Sequence, residues 1–383
     1  MKRRLVILTE IISPYRIPLF NALARKEDVD LHVIFLAETD PSLRRWQVYK
    51  EEIKFSYQVL RGWRKRLGRY NALLNRGVAR ALAAAAPDVI LCGGYSYVAS
   101  WQTLFWARSR QIPFLLWSES TLQDLRRGRA VVELLKDEFL RGCSGFVVPG
   151  RSAREYLREH KIADDRIFTA PNAVDNDLFA EAADLVRQNA ADRRRELGLP
   201  ERYFLFVGRL VPEKGVFDLL SAYAKLDGGL RRKAGLVFVG DGTSRRQLEE
   251  QAASIVPGVI RFPGFAQREQ LPSYYALAQA LVLPTYTDTW GLVVNEAMAC
   301  GLPVILSQAA GCAADLVKEE WNGLSVPPRD ASALAGAMQT LGNQAELCVA
   351  MGANSRQHIS RYSPAEWCRG LALAVAAAGG VHD

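Results

Sequence analysis

Residues 280–307, ALVLPTYTDTWGLVVNEAMACGLPVILS, read as strand, loop, helix and strand in one continuous stretch. "ALVLPT" is an unbroken apolar run closed by a proline, the pattern of a strand buried on both faces. "GLVVNEAMAC" is a helix with alanines and Met298 inside, closed by Gly301, and Pro303 opens the next strand. Strand–helix–strand in this order is the crossover unit of a parallel sheet. Two carboxylates, Asp288 and Glu296, interrupt this otherwise core-like segment, eight residues apart. One reading is a loop acid followed by a surface helix acid. The other is that both face a site where the loop becomes a helix. The helix start near Trp290, Gly291 and Leu292 offers backbone N–H groups to an anion. Carboxylates beside it are good acceptors for sugar hydroxyls. The second reading therefore asks for a ligand with a diphosphate, a sugar and a ribose.

Outward from this unit the same alternation runs through the chain. Strand candidates in the first half are "RLVILT", "LHVIFLA", "FSYQVL", "DVILCGG", "FLLWSE" and "GFVVPG". In the second half they are "YFLFVGRL", "LVFVGDG", "VIRFPG", "ALVLPT" and "LPVILS". Helical patterns such as "IPLFNALARK" and "SAREYLREH" lie between them. At 383 residues the chain exceeds one ordinary core. The expectation is an α/β protein of two Rossmann-like, doubly wound domains facing across a cleft, residues 1–175 and 176–360. Residues 361–383, begun by Pro364, form a C-terminal helix expected to pack back on the first domain. "APNAVDNDLF" marks the boundary with turn-forming proline and asparagine. Open parallel sheets bind ligands at the carboxyl ends of their strands, so the cleft is the default site.

Charge is distributed unevenly. Residues 1–180 carry 29 Lys and Arg against 20 Asp and Glu, while the remainder is nearly balanced. The excess concentrates in "LRRWQVYK", "RGWRKRLGR" and "LRRGR", where Trp46 and Trp63 are interleaved with basic residues. Solvated loops are one explanation; an anionic partner, either acidic lipid headgroups or nucleic acid, is the other. The six cysteines and four histidines show no metal-ligand spacing, so no metal is expected. "MKRRLVILTE" has too short an apolar run for a signal peptide, and no run of 18 apolar residues occurs. A cytoplasmic location is the expectation.

In "YFLFVGRLVPEKGVFDLLSAY" a strand ends at Val207, and Gly208 and Arg209 open a turn. Pro212, Glu213 and Lys214 precede a helix whose apolar positions Val216, Leu219, Leu220 and Tyr223 keep helical spacing. Arg209 and Lys214 thus stand between a strand end and a helix start, a place that favours phosphate. "LVFVGDGTSRRQLEE" has Gly240 and Gly242 after a strand, but Arg245 occupies the place of the third glycine of a dinucleotide fingerprint. No Walker pattern occurs. A nicotinamide-dependent enzyme is accordingly disfavoured.

Together these segments resemble the retaining glycosyltransferases of family 4, glycosyl transferases group 1, which have the GT-B fold and use nucleotide-sugar donors. "FVGRLVPEKGV", "FVGDG", "RFPGF", "LPSYYALAQALVLPT", "DTWGLVVNEAMACGLPVI" and "NGLSVPP" follow the family's order, and "APNAVD" resembles its "PNGVD". The resemblance implies that Arg209 and Lys214 hold the donor diphosphate, with Gly208 at their turn. It implies that Trp290, Gly291 and Leu292 contact phosphate or sugar, that Asp288 meets the donor hexose and Glu296 its ribose. Gly264 and Phe265 would line the base pocket. Two departures stand out. The family's first acid is usually glutamate, whereas Asp288 is one methylene shorter. "ISPYRIPLF", with Tyr15, replaces a glycine-rich loop, and Ser118, Glu119 and Ser120 stand where relatives carry a histidine. Glu119 either replaces that histidine's polar contact or belongs to the acceptor site; Tyr15 is the other acceptor-side candidate.

The implied activity is metal-independent, retaining transfer of a hexose from a nucleotide diphosphate to an acceptor hydroxyl, with no cofactor. The acceptor would be a polysaccharide, lipopolysaccharide or glycolipid precursor. The basic first half would rest peripherally on the inner face of an anionic membrane, and nucleic acid is not expected as a partner. The alternative is a catalytically weak subunit of the same fold that binds nucleotide or glycan.

Overall fold

Both series of apolar runs form parallel sheets in the computed structural model, which describes residues 2–40, 46–67, 70–124 and 130–379. The chain divides into two units: residues 1–174 with 364–383, and residues 175–363.

Unit 1 contains β1 (Arg3–Thr9), β2 (Val29–Phe35), β3 (Ser56–Val59), β4 (Gly62–Leu67), β5 (Tyr70–Asn75), β6 (Val89–Cys92), β7 (Phe114–Trp117), β8 (Gly145–Val148) and β9 (Ile167–Thr169). Seven of them make one parallel sheet in the order β3-β2-β1-β6-β7-β8-β9. Successive residues of β1 point to opposite faces. Val6 and Leu8 join a core with helices Val78–Ala85 and Val98–Arg108, whereas Leu5 and Ile7 join helix Ile17–Ala24 and Trp367 and Leu371 of helix Pro364–Gly379. A sheet covered on both faces explains why its strands read as continuous rather than alternating apolar runs.

Unit 2 contains β10 (Tyr203–Val207), β11 (Gly235–Val239), β12 (Ile260–Gly264), β13 (Ala280–Leu283), β14 (Val304–Ser307) and β15 (Gly323–Val326). All are parallel, in the order β12-β11-β10-β13-β14-β15. The chain winds outward from β10 and then returns to pair β13 on β10's other side. That reversal opens a crevice beyond the carboxyl ends of β10 and β13. In unit 1 the corresponding reversal lies between β1 and β6.

The eleven strand candidates of the sequence are all strands here. Two short strands, β9 and β15, were not anticipated, and neither was the hairpin β4–β5, where the sequence reads as basic loop. Arg64 holds this hairpin by ion pairs to buried Asp40 and to Glu10, and Trp63 remains 58% exposed. Of the three basic stretches, 125–129 and parts of the other two (43–45, 68–69) lie outside the described residues. All six cysteines are buried and unbridged, and burial pushes the Cys92 thiol up to about 12, so it is inert. Among the described residues no helix is long and apolar enough to cross a membrane.

Candidate functional site

Five loops lie along the carboxyl edge of the unit 2 sheet. The loop after β10 runs through Gly208 and Arg209 into a short 3-10 turn, Pro212–Lys214, before helix Val216–Lys225. It is joined to the loop after β13 by backbone: Tyr286 N–H donates to Glu213 O at 2.9 Å, and Thr285 Oγ1 to the same carbonyl at 3.1 Å. Gly215 makes that contact possible. Its φ is +68°, and a Cβ there would stand 2.0 Å from Pro284 O. The approach brings Lys214 Nζ to 2.5 Å from Asp288 Oδ2, with the two side chains only 16% and 18% exposed. Arg209 is exposed, and no carboxylate among the described residues is paired with it.

Asp288 is fixed by its own main chain. Gly311 N–H, from the loop after β14, donates to Asp288 O at 2.9 Å, and Cys312 N–H to Trp290 O at 3.2 Å. Helix Leu292–Ala299 then starts at Gly291 without a side-chain cap. Its first amides must be satisfied from outside the helix, at the place where Arg209 and Lys214 stand on the neighbouring strand's loop. Trp290 is buried, and its indole N–H donates to Asn295 Oδ1 at 2.8 Å, which locks the turn. Glu296 does not join Asp288 at the loop. It is fully buried in the helix body, and its Oε2 accepts from Tyr275 Oη at 2.6 Å.

On the other side of β10, Gly240 follows β11 with φ +140°, where a Cβ would lie 1.9 Å from Gly208 O. The Gly240 N–H donates to Gly264 O at 2.8 Å, tying the ends of β11 and β12 together. Phe265, the next residue, is 44% exposed. The edge thus presents, in spatial order, an exposed aromatic ring, a tight glycine turn, two basic side chains and a carboxylate. Among the described residues no three His, Cys, Asp or Glu side chains converge as metal ligands would.

In unit 1, Tyr15 meets Trp46 edge to face at 6.0 Å. Its neighbour Arg16 lies at the heart of the β1/β6 reversal. The Arg16 guanidinium stacks over Trp117 at 4.2 Å, donates to Thr9 Oγ1 at 2.7 Å and stands 3.4 Å from Glu119. Asn172, buried, donates to the other oxygen of Glu119 at 2.9 Å. Beside this cluster, burial and then a bond to Glu10 push the Tyr97 hydroxyl well above its ordinary value.

Each half of the chain matches a family model. Residues 187–358 match the model described as Glycosyl transferases group 1, and residues 19–178 the one described as Glycosyltransferase Family 4. The chain belongs to this family of glycosyltransferases.

Among relatives of this glycosyltransferase, an uncharacterized glycosyltransferase of Methanocaldococcus jannaschii is 35% identical over 145 residues, 37% of this chain and 36% of that protein. A D-inositol 3-phosphate glycosyltransferase of Geodermatophilus obscurus is 32% identical over 236 residues, 59% of this chain and 50% of that one. The chain spans about half or less of the length of these curated relatives. Among solved structures, HepE of Anabaena in complex with UDP aligns with a TM-score of 0.76 at 18% identity, covering 98% of this chain and 100% of that one. That likeness shows the fold: two Rossmann-like domains of the GT-B type.

Sequence reasoning missed Arg16, Asn172 and Gly311. Arg16 adjoins the tyrosine that was singled out, but nothing local says which of the two enters the Glu119 cluster. Asn172 sits inside "APNAVD", whose proline and asparagine read as turn signals and whose likeness to "PNGVD" assigns it no contact. Gly311 acts through its amide, which no side-chain pattern reports.

Proposed function

We propose that this glycosyltransferase moves a hexose from a nucleotide diphosphate to an acceptor hydroxyl with retention of configuration, binding the donor on unit 2 and the acceptor on unit 1. The observation that carries the reading is the Lys214–Asp288 contact beside an uncapped helix N-terminus, with exposed Arg209 on the same loop as Lys214, at the reversal point of a doubly wound sheet. In the hard step the sugar–oxygen bond breaks and the diphosphate leaves with its electron pair. Arg209, Lys214 and the amides at Leu292 stabilise that growing charge. The acceptor hydroxyl bonds to the anomeric carbon, and its proton passes to the departing phosphate. Asp288 orients the hexose, Gly264 and Phe265 serve the base, and Glu296, bonded to Tyr275 and fully buried, serves the ribose once that bond opens. The two cations and the helix terminus neutralise the diphosphate in place of a metal ion.

For the acceptor we take a glycolipid, polysaccharide or lipopolysaccharide precursor presented at an anionic membrane surface. Unit 1 supports this with its basic excess and with apolar side chains facing solvent on two neighbouring helices. Phe105 is 57% exposed on Val98–Arg108, and Leu134 and Leu135 are 66% and 55% exposed on Ala130–Arg141. Trp101 and Phe139 join these helices, ring to ring, at 5.0 Å. Exposed apolar side chains beside basic ones suit an interfacial site.

Thermal shifts with UDP, GDP, ADP, dTDP and NADH, each with and without magnesium, test the donor site. A ligand at a hundred times its dissociation constant adds about 2.7 kcal/mol. Stabilisation by one nucleoside diphosphate without magnesium is expected. Stabilisation by NADH alone overturns the reading, a need for magnesium overturns the metal-free part, and a flat panel favours a binding subunit. Co-sedimentation with anionic vesicles that is indifferent to vesicle charge would remove the membrane.

A further inference from the structure

The edge of the unit 2 sheet opposite the donor loops carries a second concentration of positive charge. A cavity of about 760 Å³ lies beneath the amino ends of β10, β13 and β14, and Arg187, Arg194, Arg202 and Arg356 line it. A second cavity of about 560 Å³ shares Arg202 and adds Arg231, Arg232, Lys233 and Arg261. Residues 181–383 hold 20 Lys and Arg against 21 Asp and Glu, yet eight of those 20 line these two hollows with Glu201 as the only acid. A balanced half of the chain has gathered its cations at one place, and this costs self-repulsion unless an anion answers it.

The guanidiniums differ in how far the protein satisfies them. Arg356 pairs with both oxygens of Asp184 at 2.9 and 3.0 Å, and Arg187 pairs with the same acid. These two also bond Ala299 O and Cys300 O, so they cap the carboxyl end of the helix whose amino end begins at Gly291. Arg202 gives one bond, to Gly342 O at 2.6 Å. The guanidinium of half-buried Arg194 makes no hydrogen bond or ion pair with any described residue. The first cavity therefore has two guanidiniums with most of their donors unspent, with exposed Val349 in the same wall.

We propose that these adjoining cavities bind a small organophosphate, with its phosphate on Arg194 and Arg202 and its body against Val349. Planar guanidinium forks suit phosphate oxygens, and concave hollows of this volume match a small molecule in size. This site is separate from the donor edge, and the inference stands whether or not the proposed transfer is correct. Because Arg187 and Arg356 in the same wall hold the far end of the helix behind Asp288, occupancy is also placed to act on the donor loop.

Thermal unfolding of the full chain, titrated with inorganic phosphate and pyrophosphate at matched ionic strength in sodium chloride, tests it. The expected rise is about 3–6 °C at ten times the dissociation constant. It should persist in Arg209→Ala, which lacks the donor-edge cation, and vanish in the double variant Arg194→Gln/Arg202→Gln. Val349→Glu, at a wall position that is 74% exposed, adds a repelling charge without touching the core and should weaken the response several-fold. No rise in the wild type, a rise that sodium chloride reproduces, or an equal rise in all four proteins would each overturn the site. Binding of anionic vesicles or nucleic acid through the same arginines, without phosphate or pyrophosphate, would replace the small ligand with a polymer or surface.

Discussion

Lys214 and Asp288, 74 residues apart in the chain, meet at 2.5 Å across the loops of adjacent strands β10 and β13. The pair does two things at once. It ties the loops together, and on the proposed reading it holds a cation where the donor's phosphate would compete for it. With both side chains more than four-fifths buried, the interaction is shielded from salt better than a surface pair. A double-mutant cycle of Lys214→Ala and Asp288→Ala on the urea unfolding of unit 2 should give a coupling of about 1–3 kcal/mol. A value near that of an exposed pair, below about 0.5 kcal/mol, would mean that the bond does not organise the loops.

Arg209 supplies the complementary case, because its side chain is exposed and structurally idle. Arg209→Ala should leave the unfolding temperature within a degree of the wild type. Transfer from the donor that the thermal panel identifies should fall by ~10²–10³. Turnover within a few-fold of the wild type would remove Arg209 from the diphosphate site.

Much of this architecture was legible because buried parallel strands leave unbroken apolar runs. Eleven such runs, including the four residues of "VILC" and "FLLW", were enough to give two sheets. β9 and β15, three and four residues long, carry too little apolar signal to separate from turns. The hairpin escaped because Arg64 and its neighbours look solvated, while the acids that hold it, Glu10 and Asp40, lie far back in the sequence. At the candidate site, Arg209, Lys214 and Asp288 announce themselves in the sequence by charge at a strand end. That Lys214 would bond Asp288, and that Glu296 would be fully buried against Tyr275, depends on pairings across 74 and 21 residues that no local spacing encodes.

Two glycines should respond in opposite directions to alanine. At Gly240 a methyl group would collide with Gly208 O at 1.9 Å, in a backbone conformation that alanine resists. Gly240→Ala should cost about 1–3 kcal/mol and weaken nucleotide binding, because the Arg209 turn must move aside. Gly336 lies exposed inside helix Ala331–Asn343, with nothing within 4 Å of a Cβ. Gly336→Ala should stabilise by about 0.5–1 kcal/mol with nucleotide affinity unchanged. Urea midpoints and nucleotide titrations of both variants provide the comparison, and equal effects would contradict the contact at Gly208.

His358 should make unit 2 acid-sensitive. The ring is buried, 5.5 Å from Tyr362 and 6.0 Å from Trp321, and its Nε2 donates to Asp315 O at 3.0 Å. A carbonyl only accepts, so the ring proton sits on Nε2, and protonation would add a donor at Nδ1, which has no acceptor among the described residues. Burial foremost, with Lys318 and Arg361 adding to it against the Asp315 carbonyl, holds the imidazole below its ordinary value of 6.5. The unfolded chain therefore takes up this proton first as pH falls. His358 has no effect on stability well above 6.5, and below it stability declines until the folded ring also protonates, by at most about 1.4 kcal/mol per pH unit. His358→Gln keeps a donor for Asp315 O and cannot titrate. The gap in unfolding free energy between wild type and variant should therefore move in the variant's favour between pH 7 and pH 5.5, while carboxylates common to both cancel. A gap that stays constant across that interval would mean that the folded ring accepts its proton as readily as the unfolded one.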